Sequence, residues 1–343
     1  MVDGGIDGAD VARGWEGTAA STTEERPRLR IGEVVQRFGT LGIFLALVVV
    51  ASFWSPEFLT ETNILNVLRQ VAAGAGIMAV GMLFVILTGG IDLSVGSISA
   101  LGCVLSAYFM ATSGYGILTS IVLVLLCGAA CGAVTGFFVA YLRLPSFVMS
   151  LAMMAIARGL SLIISAGRPI MLPDSEQALT DFGAGFLFGI PQPVILMFAV
   201  FIVGGIVLNF TRFGRIVTAI GSNQETVRLS GIAVPRYLIA VYVISGVLAA
   251  VAGIIATSRT GVGSAQVGFG EELNVIAAVV IGGASLMGGR GGVINTLLGA
   301  LVMGIIANIM NLAGVPGYDQ EVYMGLIIIV AMLLQYTTGS LKV

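Results

Sequence analysis

Runs of about twenty mostly apolar residues recur along this chain from residue 39 onward, separated by short polar connections. Each run has the length that crosses the hydrocarbon core of a bilayer. No water reaches a backbone N–H or C=O there, so such a run is confined to helix unless surrounding protein covers it. About ten runs can be placed, near residues 39–54, 64–88, 97–113, 117–141, 146–165, 192–210, 237–257, 273–287, 292–312 and 321–337. Glycines interrupt the second run and the stretch 273–312. The fold class that follows is an all-α polytopic membrane protein with about ten transmembrane helices, several broken by glycine.

Charge agrees with this reading and gives it a direction. Charged residues are 10% of the chain and hydrophobic residues 57%, whereas a soluble domain carries about 25% charge. Basic residues collect on the cytoplasmic side of a membrane protein. With the N-terminus inside, that side receives twelve of the sixteen, among them Arg37, Arg143, Arg212, Arg215, Arg228, Arg236, Arg290 and Lys342. Both termini are then cytoplasmic. The connections at 55–62, 166–191, 258–272 and 313–320 face outward, with Glu57, Asp174, Asp181, Glu271, Glu272 and Asp319 among their acids. Residues 1–37 are polar and read as a disordered cytoplasmic tail, 38–338 as the transmembrane domain, and 339–343 as a short cytoplasmic end. The first apolar run has no small-residue cleavage site after it and is read as a retained span rather than a leader.

One long polar interval stands inside the apolar background: TRFGRIVTAIGSNQETVRLSGIAVPR, residues 211–236. Gly221 and Ser222 precede Asn223, and Ser222 followed three residues later by Glu225 has the form of a capping box. Gly231 stands where a left-handed C-terminal cap belongs, and Pro235 stops continuation. A short helix over about 223–230, outside the membrane, is expected. It is either an ordinary loop helix or a docking helix that offers Val227, Leu229 and Ile232 to a groove on a soluble partner, with Arg228 at the rim.

Two further stretches are unusual. TGGIDLSVGS, residues 88–97, carries Gly89, Gly90, Asp92, Ser94 and Gly96. A carboxylate at membrane depth costs about 2.5–3.5 kcal/mol on insertion scales and needs a partner or a cavity. Asp92 either caps the helix that begins near Leu93 or touches a transported molecule. GGASLMGGRGG, residues 282–292, echoes the first as G-G-x-x-L-x-x-G, matching Gly89, Gly90, Leu93 and Gly96 to Gly282, Gly283, Leu286 and Gly289. Such an echo marks either repeated interrupted helices along a transport path or close helix packing through glycine.

Several chemistries are excluded. The chain has no histidine, and its lysine is Lys342, so neither a Ser-His-Asp triad nor a G-x-x-x-x-G-K-[ST] phosphate loop can be built. Cys103, Cys127 and Cys131 lie inside apolar runs and match no metal spacing. No catalytic residue, metal or cofactor is expected, and no basic surface for nucleic acid is present.

Three segments carry a family resemblance. AVGMLFVILTGGIDLSVGSISAL (79–101), GRIVTAIGSNQETVRLSGI (214–232) and EELNVIAAVVIGGASLMGGRGGVINTLLGALVMGIIANIMNLAGV (271–315) closely resemble permease subunits of bacterial ABC importers of the ribose and other monosaccharide type. One departure is Asn274, where many members have Asp after the Glu-Leu pair. The resemblance implies a non-enzymatic subunit of the inner membrane, surrounded by lipid, that forms the path for a sugar such as ribose, xylose or galactose. It implies a second permease copy, cytosolic ATP-binding subunits and a periplasmic sugar-binding protein as partners. The segment matching 214–232 would then couple to the ATPase through Gly221, Ser222, Asn223, Glu225, Arg228, Leu229, Gly231 and Ile232. The outer loop 166–191, with Phe186, Leu187 and Phe188, would receive the binding protein. Two alternatives remain at this stage: an ion-coupled secondary transporter that uses Asp92, and an ABC permease for a nucleoside, a branched-chain amino acid or a signalling sugar derivative.

Overall fold

A computed structural model describes residues 31–340 and confirms an all-α polytopic architecture. The helices are α1 (Ile31–Trp54), α2 (Glu61–Ala73), α3 (Ala75–Leu87), α4 (Val95–Ala111), α5 (Ile117–Tyr141), α6 (Ser146–Ser165), α7 (Gln177–Ala184), α8 (Gln192–Phe210), α9 (Arg212–Ser222), α10 (Gln224–Leu229), α11 (Val234–Thr260), α12 (Glu271–Ile281), α13 (Val293–Leu312) and α14 (Gly317–Ser340). Five of them, α5, α6, α8, α11 and α13, are long and apolar enough to cross a membrane. The pair α2 and α3, bent by 42° at Gly74, makes a sixth. α4 and the stretch Gly39–Trp54 of α1 are shorter apolar helices.

The structure reaches part of each expected tail. Residues 31–37 belong to α1, because Ile31, Val34, Val35 and Phe38 recur at helical spacing. Residues 339–340 belong to α14, which no proline interrupts. The rest of both tails, 1–30 and 341–343, lies outside the described residues.

The core is built around α3, whose residues from Gly76 to Leu87 are all buried. A helix apolar on every side has no solvent face to keep and is stable only when other helices surround it. Here α2, α8, α11, α12 and α13 do so. α11 in turn packs on α4 and α5. The α5–α11 contact runs through Gly128, Gly132 and Gly246, which let two backbones approach as lipid-embedded helices do. The peripheral helices keep large apolar side chains outward, such as Leu118, Leu126, Ile163 and Phe210, as a hydrocarbon solvent requires. Four two-residue strands trim one end. β1 (Ile170–Met171) pairs antiparallel with β4 (Val262–Gly263), and β2 (Phe186–Leu187) pairs with β3 (Ile190–Pro191) as a hairpin.

Candidate functional site

The polar interval folds as two helices. Thr211 caps α9, its hydroxyl oxygen accepting from the Gly214 amide. The expected capping box at Ser222 does not form. Ser222 is the last residue of α9 and donates its hydroxyl back to the Thr218 carbonyl at 3.2 Å. Asn223 is the cap instead, and its Oδ1 accepts from the Thr226 amide at 2.9 Å. Asn competes with Ser at such positions, and here the backbone of 223 alone is extended while that of 222 is helical. Glu225 is therefore free to turn forward. It accepts two hydrogen bonds from Arg228, at 2.9 and 2.5 Å, in a fork-to-fork pair on the exposed face. Those bonds hold its carboxyl below the usual carboxylate range. Gly231 takes the left-handed conformation expected of it, and Pro235 opens α11 rather than only ending α10.

The apolar residues of α10 divide in a way the sequence pattern did not reveal. Val227 is buried, and Ile232 packs half-buried beside it, in a small cluster with Ile220, Val234 and Leu238. They bind the short helix to the body of the protein. Leu229 alone of the three expected docking residues is open, at 75% exposure.

The three unusual sequence stretches meet at one point. A Cβ on Gly221, in the last turn of α9, would overlap the Leu87 carbonyl oxygen and the Gly289 amide nitrogen. The Gly289 amide donates to that same carbonyl at 3.0 Å, at the C-terminus of α3. A Cβ on Gly288 would lie 2.8 Å from both Gly221 Cα and the Gly89 nitrogen. Three backbones thus touch with no side chain between them. A crevice of about 290 Å³ opens beside the contact, lined by Thr88, Gly90, Arg143, Ser146, Gln224 and Tyr242.

The echo between the two glycine stretches has a structural basis, shifted by one residue. α3 and α12 pack side by side and end alike. Gly89 donates to Ile86 and Gly90 to Val85; Gly283 donates to Val280 and Ala284 to Val279. Both ends are Schellman motifs with a left-handed glycine, so Gly89 corresponds to Gly283 rather than to Gly282. The sequence alignment chose the pairing with more identical letters, whereas the hydrogen-bond pattern depends on which glycine has positive φ. Beyond that turn the two stretches differ. Residues 282–292 close a hairpin in which Ser285 donates to the Arg290 carbonyl, and Gly282 packs against Asn295 and Thr296 of α13. They form the connection between α12 and α13.

Residues 88–94, by contrast, climb through the protein interior without helix. Asp92 is buried there at 1% exposure. Its Oδ1 accepts from the Ser94 amide at 3.0 Å and the Ser94 hydroxyl at 2.5 Å; its Oδ2 accepts from the Ser245 hydroxyl of α11 at 2.7 Å. The carboxylate lies at the positive end of α4, where a negative charge is favoured. Ser245 also presses on the middle of α3 at Gly81, which sets Asp92 at mid-height in the bundle. Gly96, in the first turn of α4, leaves room for the Gly268 carbonyl and the Glu272 carboxylate. Asp92, Ser94 and Gly96 therefore belong to a second locus, separate from the contact at Gly221.

Sequence reasoning missed Ser245, Leu87 and Gly288. An isolated serine in a 27-residue apolar helix carries no signal without its partner. A backbone carbonyl carries none at all.

Residues 63–334 match the family described as "Branched-chain amino acid transport system / permease component". The chain is 42% identical over 311 residues to the ribose import permease protein RbsC of Bacillus subtilis, covering 90% of this chain and 96% of that protein. It is 39% identical to the ribose import permease protein RbsC of Haemophilus influenzae, over 93% of this chain and 98% of that one. The L-arabinose ABC transporter permease protein AraH of Azospirillum brasilense is 36% identical over 92% of this chain and 91% of its own length. No solved structure gives a significant match.

Proposed function

Because the chain belongs to the branched-chain amino acid transport system permease family, and is a multi-pass permease of the inner membrane, we propose that it forms the path of an ATP-driven importer for a neutral monosaccharide. Ribose and arabinose permeases among its relatives favour a sugar over an amino acid. The proposed assembly has ten passes with both termini cytoplasmic, a second permease copy, two cytosolic ATPase subunits and a periplasmic binding protein. The gathering of Arg143, Gln224 and the α3 terminus around one crevice supports the assignment of that end to the cytosol.

The observation that carries the mechanism is the backbone contact at Gly221. α10 offers an exposed Leu229 and an exposed Glu225–Arg228 pair, while α9 rests without cushioning on the end of α3 and on the connection between α12 and α13. A push on α10 by closing ATPase subunits has nothing soft to compress, because packed interiors transmit displacement rather than absorb it. It moves α3 as a rod, together with the α12–α13 connection, and switches the bundle between two packings. The chemistry of ATP hydrolysis stays with the partner. Asp92 acts as an internal cap, all of its contacts being donors that hold α4 and α11 in register.

Reconstitution tests the reading. Liposomes holding the chain alone should take up no sugar, and addition of the ATPase, binding protein and ATP should start uptake. Replacing Glu225 and Arg228 together by alanine should leave the complex assembled but hydrolysing ATP without transport. Sugar movement by the chain unaided would sink the proposal.

A further inference from the structure

The opposite ends of α3 and α12 border a cavity of about 340 Å³, between the α2–α3 break, α13 and the start of α14. That volume is at the lower end of the range for small-molecule sites, about 300–1,000 Å³. Its polar lining consists of Gln70, Glu271, Asn274, Gln320 and Glu321, with Phe269 at 68% exposure beside them. Among the described residues that line it there is no arginine or lysine. Two carboxylates without a basic partner repel phosphate or carboxylate, and carboxylates and amides together accept from and donate to hydroxyls. The ring of Phe269 gives an apolar surface for the C–H face of a sugar.

Glu271 is placed by the fold rather than left on a surface. Both of its carboxylate oxygens stand 3.4 Å from where a Cβ on Gly74 would be, at the break where α3 begins. Gly74 thereby opens the wall of the bundle to a carboxylate at the start of α3, where a negative charge is favoured. The Gln320 amide nitrogen is held by Asn311 Oδ1 and the Val315 carbonyl, both at 2.8 Å, which fixes the rim. Gly325 also lines the space, and a Cβ there would meet nothing within 4 Å.

We propose that this cavity is a transit site for a neutral, hydroxyl-rich solute, whose hydroxyls donate to the Glu271 carboxylate and exchange hydrogen bonds with the Gln70 and Asn274 amides, packed on Phe269. The inference rests on the sugar-importer reading and adds where in the permease the sugar pauses. From the cavity α3 runs about 20 Å to the contact at Gly221, so an occupant here and a push there act on the same helix.

The test is uptake of D-ribose and of L-arabinose by the complete complex in proteoliposomes, with ATP hydrolysis stimulated by loaded binding protein read in parallel. Gly325→Trp, which fills open space, and Glu271→Ala, which removes an acceptor, should each lower uptake at least about tenfold. Stimulated ATP hydrolysis should stay within about twofold of the unsubstituted complex, since docking and coupling lie elsewhere. Unchanged uptake in Gly325→Trp overturns the inference alone, and so does a loss of uptake matched by an equal loss of stimulated hydrolysis. An unsubstituted complex that carries neither sugar overturns the importer reading as well.

Discussion

The two ends of α3 are built on opposite principles. At Leu87 and Gly289 three backbones touch so closely that a single methyl group has no room. At Gly74 and Glu271 the starts of α3 and α12 border, with α13 and α14, a cavity lined by apolar and polar residues. In the proposed mechanism one end transmits force, which close-packed backbone does because it cannot yield, and the other admits a solute, which needs volume and hydrogen-bonding groups. A buried helix joining a stiff end to a hollow end would then convert a push at one into a change of shape at the other. Glycine serves both, by letting carbonyls approach at the first and by breaking the helix at the second.

The comparison can be broken most directly at the stiff end. Gly221→Val should abolish the assembled complex, since overpacking against backbone costs more than about 3 kcal/mol when nothing can shift. Size-exclusion of the co-purified subunits would show it, and a normal complex with full transport would mean that the contact is not needed. The locus at mid-height comes next. Asp92→Leu leaves the Ser94 amide and the Ser245 hydroxyl without their acceptor and should cost about 3 kcal/mol in a thermal melt. Asp92→Asn keeps an acceptor for Ser94 and should be mild. If the asparagine variant kept its stability and assembly yet lost uptake, Asp92 would belong to the solute path rather than to the scaffold. A smaller effect is expected from Leu229→Asp, which should weaken ATPase co-purification without changing the melt of the isolated chain. Gly231→Ala should have the smallest. Its left-handed backbone disfavours a side chain by about 1 kcal/mol, but no atom stands in the way, so transport should persist. A large defect there would place a tight contact where none is seen.

Much of the fold was legible because its signal is local. The runs at 117–141, 146–165 and 192–210 coincide with α5, α6 and α8, since continuous apolar sequence in a membrane has one stable backbone form. The glycine interruption within 64–88 appears as the bend at Gly74. In the polar interval the helix expected over about 223–230 is present as α10 with a different cap, whereas α9 before it carried no expectation. Ser222 and Asn223 are equally good cap residues by type, and only the backbone conformation distinguishes them. The burial of Val227 was equally hidden, because a six-residue helix shows no period long enough to separate its buried face from its free one.

The sequence alone determined that the chain is a bundle of apolar helices with one long, capped polar segment. Those properties depend on residue type and spacing along the chain. Only the tertiary structure decided that Gly221, Gly288 and Leu87 share one contact, that Asp92 is answered by Ser245, and that Glu271 faces the break at Gly74. Each of these joins atoms distant in sequence, several of them backbone atoms common to every residue. Their meeting is fixed by how close two helices can come, a quantity that no single stretch of sequence contains.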